Sequence, residues 1–294
     1  MINTNFKLGK QPFEEDPQGR DIHLSVLVDK KKITYPESTD DYKTFTDWRM
    51  FLNDLIGCCG LAAVWHLVML WTKQGGKEVN ITDKNVEESY EKFGYDPNDP
   101  STDKGVVLRD VLKFWKKYGF KDADGKIHKI GAYARVNFTD HEEVKLAQYL
   151  FSGLYMGFNV PKFFMLLFQS GQLIIDNQNT NTEIEGGHCV IPTGYGPIVI
   201  KKVTKEGIWV ITWGVAVFIT WEFWDRWVDE CWVVFSPEML DNNKSPDGFD
   251  STQLLKLLKQ IGSDYPQQSF VSKVIQKVSN LVKLDTIKKI IMEA

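Results

Sequence analysis

The stretch Asn53-Asp54-Leu55-Ile56-Gly57-Cys58-Cys59-Gly60-Leu61-Ala62-Ala63 sets a cysteine where a polar turn meets an apolar run, and its pattern predicts a helix over about residues 60 to 73. Backbone N–H groups and the positive end of a helix stabilise a thiolate, so this position predicts a Cys59 pKa lowered from about 8.5 toward neutrality. A nucleophile also needs a base. His188, in Glu185-Gly186-Gly187-His188-Cys189-Val190, opens a predicted strand behind paired glycines that permit close backbone approach. His23, His66, His128 and His141 have no such setting. A buried cysteine packs more often than it reacts. The weight therefore falls on how these residues occur together.

Working outward, residues 1–46 are polar and turn-rich, with extended candidates such as His23 to Val28, and read as an extension wrapped over a domain. Residues 47–241 form that domain. Its first half is helical: after the 60–73 segment, Val107, Leu108, Val111, Leu112 and Trp115 recur at helical spacing. One more amphipathic helix follows at 142–153. Gly153 to Val160, His188 to Tyr195, Pro197 to Lys202 and Gly207 to Trp213 then read as strands broken by Gly, Pro and Asn. A helical lobe followed by a strand-rich lobe is an α+β arrangement, with a cleft expected between the two. Residues 242–251 (NNKSPDGFDS) read as a linker. The tail 251–294 carries an amphipathic pattern (Phe270, Val271, Val274, Ile275, Val278, Leu281, Val282) suited either to packing on its own domain or to docking a protein partner.

The joint pattern resembles the papain-like cysteine peptidases, in the branch found in bacteria and phages. Asp47-Trp48-Arg49 matches the family's lead-in, Asn53 stands where the family has Gln six residues before the nucleophile, and Gly57-x-Cys59 opens the central helix. Residues 105–119, GVVLRDVLKFWKKYG, match a segment of that branch. Gly187-His188-Cys189-Val190, then Gly194-Tyr195, follow about 130 residues after the cysteine, and Ile211-Thr212-Trp213-Gly214 corresponds to the family's Asn-Ser-Trp-Gly. The resemblance spans about residues 47 to 238 and implies a two-lobed papain-like fold. It also implies Cys59 as nucleophile, His188 as base, and the Asn53 side chain with the Cys59 N–H as oxyanion hole. Cys58 is expected to be a packed thiol.

Two positions depart from the family. Asn53 keeps an amide donor with one methylene less reach. Ile211 stands where the family's Asn orients the imidazole, and strand alternation predicts Ile211 toward His188 with Thr212 on the opposite face. Asp176 or Asn177 is then a candidate substitute from a loop. Two functions fit. The first is a structural or assembly component of a phage or bacterial particle with a degenerate active site, toward which Ile211, Asn53 and the added tail tilt the reading. The alternative is an active thiol peptidase or amidase acting on a peptide.

Composition narrows the partners. Among 294 residues, 35 basic and 39 acidic side chains leave a net charge of −4, which advertises no nucleic-acid surface. The longest apolar run, Leu61 to Trp71, is far shorter than the roughly 20 residues that span a bilayer, and the N-terminus has no signal-peptide pattern. The chain is therefore expected in the cytoplasm where it is made, and in a virion if it belongs to a particle. Four cysteines without metal spacing predict neither a disulfide framework nor a metal site, and no cofactor is expected. Six of ten tryptophans lie within residues 209–232 and are expected to pack the core, with Trp221, Trp224 and Trp227 at a helical spacing that continues through Val228 to Trp232.

Overall fold

The computed structural model describes residues 6–16, 21–28, 30, 33–200, 202–236 and 238. The linker and tail expected over 242–294 lie outside the described residues.

After the short helix α1 (Leu24–Leu27), the helical lobe is built from α2 (Cys59–Gln74), α3 (Asp83–Glu91) and α4 (Leu108–Lys117). Every residue of α2 from Cys59 to Thr72 is buried, as an all-round apolar helix requires. It ends where Lys73 brings the first charge and Gly76 takes a positive φ. Thr82 caps α3 in a reciprocal box with Asn85. In α4, Leu108, Val111, Leu112 and Trp115 are buried at the spacing read from sequence, with Asp110 in the first turn and Lys116 and Lys117 in the last, matching the helix dipole. Burying each of the aliphatic side chains contributes about 1.5–3 kcal/mol.

A two-stranded ribbon, β1 (Phe120–Lys121) with β2 (Ile127–His128), leads to β3 (Ala132–Arg135), α5 (His141–Phe151) and β4 (Tyr155–Pro161). Then follow α6 (Lys162–Gln169), β5 (Ile174–Ile175), β6 (Ile184–Ile200), β7 (Val203–Thr212), β8 (Val215–Thr220), α7 (Trp221–Trp227) and β9 (Val228–Phe235). Seven strands form one sheet in the order β3-β9-β4-β6-β7-β8-β5. The helical half, the strand-rich half and the α+β class are as the sequence predicts. α2 packs on β6 at the centre, and the Tyr155 hydroxyl of β4 donates to the Gly60 carbonyl at 3.1 Å.

Three local expectations are corrected. The two strands predicted on either side of Gly196 are one strand, β6, whose ladder with β7 continues through Pro197 and absorbs Thr193 in a bulge between Pro192 and Gly194. The extended pattern at His23 to Val28 makes a single bridge from His23 to Arg135 and then turns into α1, burying Leu24. Helical spacing at Trp221–Trp227 is correct, but the chain becomes strand at Val228, so Trp232 belongs to β9. The tryptophans are largely core: Trp224 donates its indole N–H to the Phe138 carbonyl at 2.8 Å and Trp227 to Asn177 Oδ1 at 3.0 Å.

Candidate active site

Cys59 is the first residue of α2, and His188 lies near the start of β6. Beside the Cys59 sulfur are the backbone N–H groups of Cys189, Gly60 and Gly9. The residue adjoining His188 thus reaches the thiol from one side, and the N-terminal segment reaches it from another.

His188 is fully enclosed. Its Nε2 pairs with Thr212 Oγ1 at 2.7 Å, the Trp213 indole stacks on the ring at 4.2 Å and 18°, and Phe158 meets it edge-on. Its Nδ1 is buried with no hydrogen-bond partner. The expectation for Ile211 and Thr212 is therefore overturned. Ile191 lies opposite Ile211 in the β6–β7 ladder, so one step along Thr212 lies level with Val190, on the His188 face, while Ile211 points to the other side. Thr212 takes the orienting place. Asp176 and Asn177 do not: Asp176 accepts from the Thr220 hydroxyl and pairs with Lys205, and Asn177 is held by Trp227.

The cleft is occupied by residues 6–11 of the same chain. Val106 N–H donates to the Gly9 carbonyl at 2.7 Å, Gln11 N–H to the Val106 carbonyl at 2.9 Å, and Lys10 N–H to the Gly187 carbonyl at 2.9 Å. One extended strap thus bridges both walls, parallel to the helical lobe's edge at Val106 and antiparallel to Gly187. The crossing is built from glycines. A Cβ on Gly9 would stand 1.7 Å from the Gly57 carbonyl oxygen, and one on Gly105, whose φ is +73°, would stand 2.0 Å from the Gly9 oxygen. Gly57 is itself fixed by Asp103, which accepts its N–H at 2.9 Å and also the Tyr90 hydroxyl at 2.8 Å.

Asn53, at 3% exposure, donates its side-chain amide to the Lys7 carbonyl at 3.4 Å and to the Ile56 carbonyl at 3.3 Å. The Trp213 indole N–H reaches the same Lys7 carbonyl at 3.4 Å. The amide donor assigned to the oxyanion hole is thus taken up by the strap.

Burial also reverses the expected titration. Removal from water pushes the Cys59 thiol up to about 11, against the pull of the three N–H groups, and pushes His188 down to about 3. Under the strap both are neutral. Cys58 is a packed thiol whose Sγ–H donates to the Phe51 carbonyl at 3.2 Å. All four cysteines are free, and no cluster of metal-binding side chains occurs among the described residues.

Lys10, Gly9, Asp229 and Glu230 carry no signal in the sequence pattern, and Thr212 lies on the face opposite to the one predicted. Lys10 is 5% exposed, and its ammonium lies 2.8 Å from Asp229 and 3.3 Å from Glu230. A lysine between a glycine and a Gln-Pro pair in a polar extension carries no pattern that announces burial.

This geometry can be compared with solved structures. Xylellain, a cysteine protease from Xylella fastidiosa, superposes with a TM-score of 0.60 over 79% of this chain and 96% of its own, at 18% identity. The fold is papain-like. Procathepsin B S9 from Trypanosoma congolense (TM-score 0.52, 11% identity, 80% of this chain and 87% of that one) and procathepsin L 3 from Tenebrio molitor larval midgut (0.50, 10%, 79% and 77%) share it. No protein-family model and no curated protein matches the sequence. In this papain-like frame Cys59 opens the central helix and His188 sits on the strand facing it, with Trp213 covering the imidazole.

Proposed function

We propose that this chain is a thiol peptidase of papain-like fold, kept closed by its own residues 6–11. The observation that carries the reading is the hydrogen bond between Thr212 Oγ1 and His188 Nε2 under the Trp213 ring. It supplies the orienting partner whose apparent loss at Ile211 favoured a degenerate particle component. The tail that also favoured that role lies outside the described residues.

The chemistry follows from the groups in place. With the strap displaced and water admitted, the desolvation that holds both groups neutral is relieved, and His188 Nδ1 is available to take the Cys59 proton. The thiolate attacks a peptide carbonyl. Its oxygen becomes an oxyanion stabilised by the Cys59 N–H and by Asn53, released from the Lys7 carbonyl. Collapse expels the amine, which takes its proton from the imidazolium, and water then cleaves the thioester with His188 as base. Two of the similar structures are proforms by name, procathepsins B and L, which supports reading the strap as a closure.

The test is a thiol-directed electrophilic peptide probe, with peptide mapping. Chain opened by Gly9→Ala should be labelled at Cys59 and not after Cys59→Ala. A folded, opened chain that stays unlabelled at neutral pH refutes the peptidase reading.

A further inference from the structure

The pocket that holds Lys10 has more structure than a strap anchor needs. On one face of the sheet, Cys189 of β6, Gly157 of β4 and Glu230 of β9 stand in a row, each opposite the next. Gly157 leaves the middle of that row empty: a Cβ there would lie 2.2 Å from Lys10 Cε, 2.6 Å from Cδ and 2.9 Å from Glu230 Cγ. The aliphatic stem of Lys10 fills that gap. At its end two carboxylates of consecutive residues converge, which an ordinary strand forbids because neighbours face opposite ways. The ladder shows how this is achieved. Gly157 pairs with Glu230 but Phe158 pairs with Val228, so Asp229 is the extra residue of a bulge and both acids reach the same ammonium.

The acids are held in place independently of Lys10. Trp232 Nε1–H donates to Glu230 Oε2 at 2.9 Å, and Asn159 Nδ2–H donates to Asp229 Oδ2 at 3.3 Å. Asp229 Oδ1 is buried with no partner, leaving an acceptor for one more N–H.

We infer that this pocket is the side-chain subsite that selects the substrate, and that it takes a lysine or arginine side chain of an extended peptide lying where the strap now lies. The inference rests on the peptidase reading for its name, though not for its test. A substrate must displace the strap to reach Cys59, and displacement withdraws Lys10. Glu230, 1% exposed, and Asp229 are then left facing each other without a cation, an arrangement strongly disfavoured at low dielectric. The peptide that replaces the strap most readily brings its own cation on a stem long enough to cross Gly157. Arginine, with several donors in a fork, can also serve the vacant Asp229 Oδ1.

The experiment is binding to full-length chain carrying Gly9→Ala to open the cleft and Cys59→Ala to prevent turnover, with opening verified by proteolysis within residues 6–16. Fluorescent alanine heptapeptides carry a single lysine at each position in turn. One position is expected to dominate, and there lysine and arginine should bind at least tenfold tighter than norleucine or glutamate. Asp229→Asn with Glu230→Gln should abolish that preference. Equal binding of lysine and norleucine, a preference that survives the double amide, or no binding by any peptide overturns the inference.

A second variant needs no opening. Lys10→Ala leaves a space the size of a propyl ammonium, so n-propylammonium should raise its Tm where n-propanol and KCl do not. Equal effects of the amine and the alcohol, or none from the amine, count against a cation site. Failure of the peptidase reading is separable, since a chain that prefers lysine peptides but never labels Cys59 loses only its catalysis.

Discussion

Replacing Gly9 by alanine adds one carbon atom, and the structure says where that atom goes: 1.7 Å from the Gly57 oxygen and 2.3 Å from its carbon, both backbone atoms that Asp103 holds in place. Contact at ordinary van der Waals distance requires a shift of more than an ångström, so Gly9 must lift from Gly57 and the bonds around it must break. Four backbone hydrogen bonds hold residues 7–11, those of Lys7, Gly9, Lys10 and Gln11 with Asn53, Val106 and Gly187. At about 0.5–1.5 kcal/mol each, they contribute roughly 2–6 kcal/mol to closure, enough to keep the cleft shut nearly all the time. In the closed chain a Cys59 pKa of about 11 leaves ~10⁻⁴ of the thiol ionised at pH 7, against about 3% for an ordinary cysteine near 8.5, a ratio of ~300. Alkylation of Cys59 by iodoacetamide, followed by peptide mapping to separate it from Cys58, Cys189 and Cys231, should therefore be at least 100-fold faster in Gly9→Ala than in the parent. The parent rate should rise about tenfold per pH unit up to pH 10, whereas the opened chain should level off at lower pH. A Gly9→Ala chain with its strap shown to be released but Cys59 no more reactive would refute the reasoning, because burial under the strap could not then be what holds the thiol neutral.

Three further outcomes follow from contacts around the cleft and its base. In the opened chain, Thr212→Val should lower kcat for an amide substrate by one to two orders of magnitude, while Thr212→Asn, which restores an acceptor, should recover most of it; equal activity of valine and threonine would remove Thr212 from the site. Asn53→Ala should lower kcat of the opened chain by ~10²–10³ with little change in KM, as loss of an oxyanion donor does, and its effect should vanish in the closed chain, where the amide is engaged by Lys7. At the far end of the sheet, hydrogen bonds from His128 and Ser236 hold Glu238 down at about 2 from an ordinary 4.5. A carboxyl depressed in the folded state contributes stability above pH 4.5 and loses it as pH falls from 4.5 toward 2, so Tm should drop steeply in that window and the drop should be shallower in Glu238→Gln.

The elements that a sequence reading captured share a property: their signal is local. α2, α4 and α5 announce themselves because apolar residues recur on one face, or all round for α2, and nothing distant alters that. Ile211 and Thr212 show what local patterns miss. Alternation says correctly that the two point opposite ways, but which of them faces His188 depends on the register between β6 and β7, and register is a property of two strands. The same holds for Asp229 and Glu230, which read as neighbours on opposite faces until the pairing with β4 exposes the bulge. Cys59 was placed at its helix start from sequence, yet its titration was predicted in the wrong direction, because the helix end is a local influence and the strap 50 residues upstream is not. Lys10 was invisible for the same reason: its partners are more than 200 residues away.

The bulge in β9 makes the charge of the cleft a matter of chain length. Removing Asp229 as a residue, instead of exchanging its side chain, would let β9 pair with β4 without a break and take away one of the two acids in a single step. An insertion at the corresponding point of a strand with one acid could supply the second. Relatives that differ here by one residue would look interchangeable when compared letter by letter, with a gap that could be drawn on either side of the bulge, yet they would present different charge to whatever peptide enters. Such a site can change its preference through slippage of a single codon, leaving every residue that performs the chemistry as it was.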